Sequence, residues 1–379
     1  MRMQVAINPR LRLRPLVLIL LSLMGIGFVV AMIRFADGIG AISNLSNTYP
    51  WGFWISFDLF TGVAIGSGAF VMAAIVYIFE LKDFRPLLKP AVLTGFLGYL
   101  MVIIALLVDL GRPERIWHML IYTNHTSILL EIGICVMSYT AVLAIEFAPT
   151  VFEGLKWQRF AKLIHRYIMP FVILGVVLST LHQSCLGSLL LIEPEKLHPL
   201  WWTPVLPVLF FISAVAIGLA MVILESSLSS RYFQRGLETR LLEKLAGFIP
   251  FVAGLYLVVR FGELAVAGDL KYLFSSGLMS VLFWVEIILG AVVPTVLFSM
   301  RRFRRDPKSI LAGAVVLLLG MILNRFDVSW FAIDRLTDVR YVPSLAELSV
   351  SVAIFSAGIL AFGLVARYLP LFEEHEAEA

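Results

Sequence analysis

Ionisable side chains inside long apolar stretches are the residues of this sequence that are equipped for chemistry. Asp58, Glu131 and His182 each interrupt a run of apolar residues long enough to cross a membrane. A charged group in the hydrocarbon region costs about 2.5–3.5 kcal/mol on insertion scales, so such residues are functional candidates. Histidine exchanges a proton near neutral pH, and a buried carboxyl group can shuttle protons too. The three residues therefore predict a proton-exchanging site within a membrane.

The composition places the chain in a membrane. Of its 379 residues, 60% are hydrophobic and 15% are charged, whereas a soluble globular protein has about 25% charged residues. The first apolar segment is too long for a signal peptide core, so we expect it to be retained. The chain has 2 cysteines without a CxxC spacing, so we expect no metal cluster. Ten segments are long enough to span a bilayer, namely 15–37, 52–80, 87–110, 127–147, 165–190, 203–228, 246–267, 278–299, 309–328 and 346–367.

Lysine and arginine residues predict the orientation of these spans. With a cytoplasmic amino terminus, the cytoplasmic segments carry 21 of these residues and the outer loops carry 6. We therefore predict that both termini are cytoplasmic. The outer loops are rich in tryptophan and tyrosine, which is typical of an aromatic belt at the membrane interface. A platform for an outer protein is the alternative interpretation of these loops.

A weak internal repeat predicts how the spans are grouped. Glu131 and Glu286 occupy similar positions in the fourth and eighth spans, and Asp109 and Glu263 end the third and seventh. Duplication is common in membrane folds of this size. We therefore predict a single all-α membrane domain over residues 1–379. It has two four-helix bundles, 52–190 and 203–328, flanked by the spans 15–37 and 346–367.

Positions along the spans predict that the ionisable groups of the first bundle share one depth. A helix rises about 1.5 Å per residue, which places Asp58 roughly 9 Å below the outer surface. His182 and Glu131 fall in the same outer third of the membrane. Asp109 and Arg112 close the third span there. An interfacial ion pair between them is one interpretation, and a place in the same cofactor-binding site is the alternative.

A quinone suits this outer cluster. It needs a flat apolar slot, a polar partner at each carbonyl group, and groups that exchange two protons. Asp58 beside His182, walled by Trp54 and the glycines around Gly66, meets that description. A b-type haem is not expected, because it usually needs two axial histidines at matching depth. His182 is the one histidine well inside a predicted span.

Three further glutamates lie toward the inner ends of their spans. Glu80, Glu146 and Glu225 each stand near basic loops. We interpret them as solvated helix ends, with a proton path between the two faces as the alternative.

The second bundle has its own charged residues. Arg260 and Glu263 are three residues apart, so they can pair on one helix face. Glu286 lies deep and needs a partner, for which Arg260 or Arg325 is available. We interpret this set as a structural network first and as a proton path second.

Several strings carry a resemblance to a known family over nearly the whole chain. They are PWGFWISFDL, DLGRPERIW, LLEIG, AIEFAP, HQSCLGSL, HPLW, ILESSL and LVVRFGEL. They resemble the NrfD and polysulphide reductase family of membrane subunits, most closely the ten-helix HybB branch found in periplasmic nickel–iron hydrogenases of the hydrogenase-2 type. The matching site positions are Asp58, Glu131, His182, Glu146 and Glu225, with Gln183 following the histidine in its string.

The resemblance implies a subunit of the bacterial inner membrane without haem or iron–sulphur cluster of its own. It implies that menaquinone or a similar quinone binds near the outer face. It also implies a ferredoxin-like iron–sulphur partner on that face, connected to small and large nickel–iron subunits, and no nucleic acid partner. Three alternatives stay open: a molybdopterin or cytochrome complex of the same family, a secondary transporter of a small solute or ion, and a passive membrane anchor.

Overall fold

The structure is a computed structural model that describes residues 15–46, 49, 51–192, 196–333 and 341–372. This part of the chain is helical without strands, and it contains ten helices that can cross a membrane, which confirms the predicted fold class. We name them α1 (Pro15–Asp37), α2 (Ile55–Ile78), α3 (Lys82–Asp109), α4 (Ile128–Gly154), α5 (Gln158–Leu189), α6 (Leu206–Phe233), α7 (Thr239–Ala267), α8 (Leu278–Ser299), α9 (Pro307–Phe331) and α10 (Leu345–Tyr368). Arg2, Arg10, Arg12, Arg14, Arg335, Arg340 and His375 lie outside the described residues.

Several helices extend beyond the apolar segments that predicted them. The helix α5 begins at Gln158 and α7 begins at Thr239, each seven residues before the predicted start. Both extensions carry basic residues. Apolarity marks only the part of a helix that lies in hydrocarbon, and the backbone hydrogen bonds continue past it. We call the end where α5 begins the inner end of the molecule, and the opposite end the outer end.

The helices pack as two rings and a pair. Helices α2 to α5 each contact the next, and α2 contacts α5. Helices α6 to α9 form a second ring of the same kind, which meets the first through contacts of α6 with α2, α3 and α5. Helices α1 and α10 pack on each other and against α3. The buried apolar side chains run continuously through both rings. The side that faces the cytoplasm stays a prediction.

Glycines of α2 and α3 allow the close approach of neighbouring helices. A Cβ atom at Gly66 would lie 3.2 Å from the ring of Tyr99 on α3, and one at Gly68 would lie 3.1 Å from Val222 on α6. A Cβ atom at Gly95 would lie 2.5 Å from that of Ala69. Small residues at helix crossings let backbones pack tightly. Other helices therefore fill the space in which the glycines were expected to wall a flat slot.

The outer loop between α5 and α6 folds into the second ring. Leu197, Leu200 and Trp201 are buried. The indole N–H of Trp201 donates a hydrogen bond to Oε2 of Glu286 on α8 at 3.0 Å. This tryptophan therefore belongs to the core and to neither an aromatic belt nor a docking platform. Trp117, in the loop before α4, is by contrast 48% exposed.

Candidate functional site

His182 lies on α5, fully buried inside the first ring. Its Nδ1 is 2.9 Å from the hydroxyl group of Tyr99 on α3. Its Nε2 makes no hydrogen bond with the described residues. When the phenol donates to Nδ1, the imidazole carries its own proton on Nε2 and can donate from there. The pair therefore presents a buried, oriented hydrogen-bond donor.

The next residue, Gln183, ties α5 to α2. Its Nε2 donates to the main-chain carbonyl of Val63 at 3.1 Å. Its Oε1 is buried and has no partner among the described residues. The amide thus fixes the rotation of α5, and with it the direction of the neighbouring imidazole.

Hydroxyl groups continue from His182 toward the inner end. The rings of Tyr99 and Tyr139 meet edge to face with centroids 4.7 Å apart, and Ser179 lies beside both phenols. Glu146 follows, since a Cβ atom at Gly175 would lie 2.9 Å from its Oε1. The hydroxyl groups of Tyr139 and Ser179 make no hydrogen bond with the described residues. Groups that can pass a proton therefore line the space between α3, α4 and α5.

Asp58 lies in a different environment from the one predicted. It belongs to a π-helical turn of α2, Ile55–Thr61, and its Oδ2 accepts a hydrogen bond from the hydroxyl group of Ser351 on α10 at 2.6 Å. The indole N–H of Trp54, one helical turn earlier, donates to the main-chain carbonyl of Glu347 on α10 at 3.1 Å.

Asp58 and His182 therefore do not hydrogen-bond to each other, and each bonds to a different helix. Asp58 and Trp54 share the face of α2 that meets α10, whereas the carbonyl of Val63, further along α2, points to α5. Depth along a span is readable from the sequence, but the direction of a helix face depends on which neighbours pack against it.

Asp109 also has a partner that the sequence did not indicate. The guanidinium group of Arg34 on α1 interacts electrostatically with it, and the same group donates to the main-chain carbonyls of Val108, at 2.5 Å, and Leu110. Arg112 is exposed. The predicted pair of Asp109 with Arg112 is thus replaced by a cation from α1 that also caps the end of α3.

The remaining acidic residues of the first ring and of α6 differ in how far they are exposed to solvent. Glu131 is exposed and lies beside Cys185. Glu80 is exposed too, in a left-handed conformation with φ of 56°, at the rim of a cleft of about 570 Å³ at the inner end. Glu225 is buried, and its carboxylate oxygens have no hydrogen bond from described residues. The interpretation as a solvated helix end fits Glu80 and is wrong for Glu225, while Glu146 is partly buried.

In the second ring, Arg260 and Glu263 form the predicted pair, with Nη1 and Oε2 3.7 Å apart. Glu286 differs from the prediction. Its Oε2 accepts hydrogen bonds from Trp201 and, at 3.1 Å, from the side-chain amide of Asn324.

Arg325 reaches Glu286 only through that amide. The Nη1 atom of Arg325 donates to Oδ1 of Asn324 at 3.0 Å, and its Nη2 donates to the hydroxyl group of Ser213 at 2.7 Å. Asp327 is a second acidic residue close to Glu286 in this network, and neither of its carboxylate oxygens has a hydrogen-bond partner among the described residues. The predicted structural network is thus present, with neutral hydrogen-bond donors between the opposite charges.

Two residues that matter to this geometry were not singled out from the sequence. Tyr99 could have been predicted from the sequence, because a phenol in the apolar middle of a span needs a hydrogen-bond partner when it is buried. Ser351 had none, because serine is common in membrane helices, where it bonds to its own backbone.

Together these residues define a class of protein: a multi-pass helical membrane protein with proton-exchanging groups in its interior. The described residues contain no group of three or more histidine, cysteine, aspartate or glutamate side chains arranged to hold a metal ion. The chain belongs to the polysulphide reductase NrfD family, because residues 41–332 match the family model described as "Polysulphide reductase, NrfD". It is accordingly a membrane subunit of the kind that serves respiratory oxidoreductase complexes, and in bacteria its place is the inner membrane.

Named relatives extend across most of the chain. The "Probable Ni/Fe-hydrogenase 2 b-type cytochrome subunit" of Escherichia coli is 33% identical, with 89% of this chain and 87% of the relative covered. The "Menaquinone reductase, integral membrane subunit" of Nitratidesulfovibrio vulgaris is 31% identical, with 93% and 90% covered. The "Protein NrfD" of Escherichia coli is 23% identical, and there 73% of this chain matches 93% of the relative.

Proposed function

We propose that this chain exchanges electrons between an iron–sulphur subunit on its outer face and a membrane quinone, menaquinone being favoured. The observation that carries the proposal is the buried His182, whose Nδ1 is engaged by Tyr99 and whose Nε2 has no partner among the described residues. The name of the Nitratidesulfovibrio relative, a menaquinone reductase, supports the choice of quinone. The name of the hydrogenase relative from Escherichia coli supports a nickel–iron hydrogenase as the surrounding complex.

In the proposed reaction, the quinone takes two electrons from the outer partner and two protons, and becomes the quinol. His182 donates a hydrogen bond from Nε2 to one quinone oxygen and passes that proton to it on reduction. The imidazole regains a proton at Nδ1, from the hydroxyl group of Tyr99. Oxidation of a quinol runs through the same groups in reverse.

Asp58 is assigned a part in orienting the quinone or protonating it. It acts from the face of α2 that meets α10, and because its carboxylate bonds to Ser351 and not to His182, the two residues do not share one proton. Glu131, exposed at the outer end, connects this region with the surface.

We further propose that the hydroxyl groups inward of His182 supply its protons. Tyr139 lies against Tyr99, and Glu146 lies nearer the inner end beside Gly175. Two phenols followed by a carboxyl group form a series of polar groups that suits proton transfer across a low-dielectric interior. Glu80, Glu225, Glu263 and Glu286 are assigned to this path only as further members, because Glu146 is the acidic residue that lies close enough to Tyr139 to interact with it.

The test is His182→Ala in the complex assembled with its native partners. We expect quinone-linked turnover to fall by about 100-fold or more, the typical effect of losing a general acid–base group. Turnover with a soluble viologen dye, which reacts with the outer partner alone, should be unchanged and serves as the control for assembly. Unchanged quinone-linked turnover would show that the role given to His182 is wrong.

The nature of the partner is tested separately. We expect a ferredoxin-like iron–sulphur protein and nickel–iron subunits to copurify with the protein from native membranes. Copurification of a molybdopterin subunit or a multihaem cytochrome instead would assign it to another complex of the same family. Solute uptake by the isolated protein in liposomes, independent of quinone, would favour a transporter.

A further inference from the structure

The pair α1 and α10 lies outside the part of the chain that defines the family. The family model ends at residue 332 and begins at residue 41, whereas α1 ends at Asp37 and α10 begins at Leu345. The alignment with the relative "Protein NrfD" covers 93% of the relative but 73% of this chain. Whatever α1 and α10 contribute is therefore additional to the shared core of the family.

This pair nevertheless supplies a hydrogen bond to Asp58. The hydroxyl group of Ser351, a fully buried residue of α10, lies 2.6 Å from Oδ2 of Asp58. No described residue donates to the other oxygen, Oδ1. A hydroxyl donor to a carboxylate is a charge-assisted hydrogen bond, which is stronger than a neutral one. Ser351 thus fixes one oxygen of Asp58 and leaves the other available.

The position of Ser351 is itself fixed at the outer end of α10. The helix begins with a capping box, in which the Ser344 hydroxyl group accepts from the main-chain N–H of Glu347 and the Glu347 carboxylate accepts from that of Ser344. The same carboxylate accepts from the phenol of Tyr341 and, at 2.8 Å, from the main-chain N–H of Asn44. Burial raises the pKa of Tyr341 above its usual range, and so does its bond to Glu347. The phenol therefore stays protonated and keeps donating.

The helix α1 holds α10 along its length. At Gly27 of α1, a Cβ atom would lie 2.2 Å from that of Ala353 and 2.6 Å from the carbonyl oxygen of Ser349. At its outer end, Arg34 bonds to the last carbonyls of α3. The register of Ser351 against Asp58 is thus set by contacts on both sides of it.

We propose that Ser351 is a positioning residue for Asp58, so that α1 and α10 complete a site whose other members belong to the family core. The proposal rests on the proposed function, in which Asp58 acts on the quinone. The other charged groups near this site are Asp109, close to Asp58, and Arg34 and Glu347, both close to Asp109. Ser351 is the described donor that contacts the carboxylate itself.

The test compares Ser351→Ala, Ser351→Thr and Ser356→Ala in the assembled complex, with a water-soluble naphthoquinone as substrate. Ser356 is a matched control, because it is also buried on α10 but bonds to the carbonyl of Val352 in its own helix at 2.7 Å. We expect Ser351→Ala to lower kcat about tenfold, the typical effect of one hydrogen bond to a charged group. We expect KM for the naphthoquinone to change less than kcat. Ser351→Thr should restore the rate, and Ser356→Ala should match the wild type.

Two results would overturn the inference. One is a Ser351→Ala complex with the wild-type kcat while Asp58→Asn and His182→Ala are impaired. The other is a lower yield of complex with an unchanged kcat per complex, which would show a purely structural role. If Asp58→Asn and His182→Ala also keep full turnover, the proposed function fails instead, so the two failures are distinguishable.

Discussion

The hydroxyl group of Tyr99 meets Nδ1 of His182 at 2.9 Å, and this contact joins α3 to α5 deep in the first ring. Each of the two side chains is fully buried. A buried phenol needs a hydrogen-bond partner, and here Nδ1 of the imidazole is that partner. The contact also decides which imidazole nitrogen is free to face a ligand.

Replacing Tyr99 with Phe should therefore impair proton transfer without removing the ring that packs against Gly66. We expect quinone-linked kcat to fall about tenfold, because the donor that sets the tautomer of His182 is lost. Tyr167→Phe, at an exposed position of α5, is the control and should be neutral. The measurement is steady-state turnover per assembled complex. Equal rates for Tyr99→Phe and the control would contradict the assigned tautomer.

A pair of glycines on α3 tests the helix packing. Gly95→Ala places a Cβ atom 2.5 Å from Ala69, whereas the Cβ atom of Gly98→Ala would lie 3.7 Å from the nearest atom outside its helix, Cα of Gly66. We expect Gly95→Ala to destabilise the protein by about 1–3 kcal/mol through overpacking and Gly98→Ala to be tolerated. Thermal unfolding in detergent, followed by size-exclusion chromatography, measures the difference. Equal melting temperatures would show that α2 and α3 can separate without cost.

The charged network of the second ring predicts a large stability effect for Arg325. Arg325→Ala removes the cation nearest the Asn324 amide and leaves Glu286 and Asp327 without it. Leaving buried hydrogen-bond partners unsatisfied typically costs about 1–3 kcal/mol, and more where charged groups are involved. Arg231→Ala, at an exposed position on α6, should change stability by less than about 0.5 kcal/mol. Both variants can be compared by thermal unfolding of the detergent-solubilised protein, and similar melting temperatures would rule out a structural role for the network.

The name of the hydrogenase relative from Escherichia coli includes a b-type cytochrome, which makes haem content a direct test for this protein. We expect the purified protein to show no haem α band in a reduced-minus-oxidised spectrum. Within the described spans, His182 and His165 lie on one helix, 17 residues or about 25 Å apart. They cannot ligate a single iron atom, and Nδ1 of His182 is already engaged by Tyr99. A spectrum typical of two histidine ligands would contradict the cofactor assignment.

The sequence was sufficient for the number of spans and for the position of each charged residue along its helix. Long apolar runs predict the spans, and the residue number gives the position along a helix, because both are properties of a single helix. The pair of Arg260 and Glu263 was predictable for the same reason, since both residues lie on one helix face.

Contacts between distant helices were not predictable in the same way. The distribution of charges predicted Arg112 beside Asp109, yet Arg34 from α1 takes that place. Likewise, Asp58 lies near the start of α2 as predicted but bonds to α10. These partners depend on how helices far apart in sequence pack, and the pattern along one helix does not record that.

The pairing of the first and last spans bears on the order in which the molecule can form. Ser351 follows Asp58 by 293 residues, so ribosomes working at about 5–20 residues per second need about 15–60 s to supply it. During that interval Asp58 is in the membrane without its hydroxyl donor, and Gly27 of α1 is without the helix that covers it. The first and tenth spans can therefore pack on each other only after residue 351 has been made, so the site around Asp58 is completed late, after the helices of both rings have been synthesised.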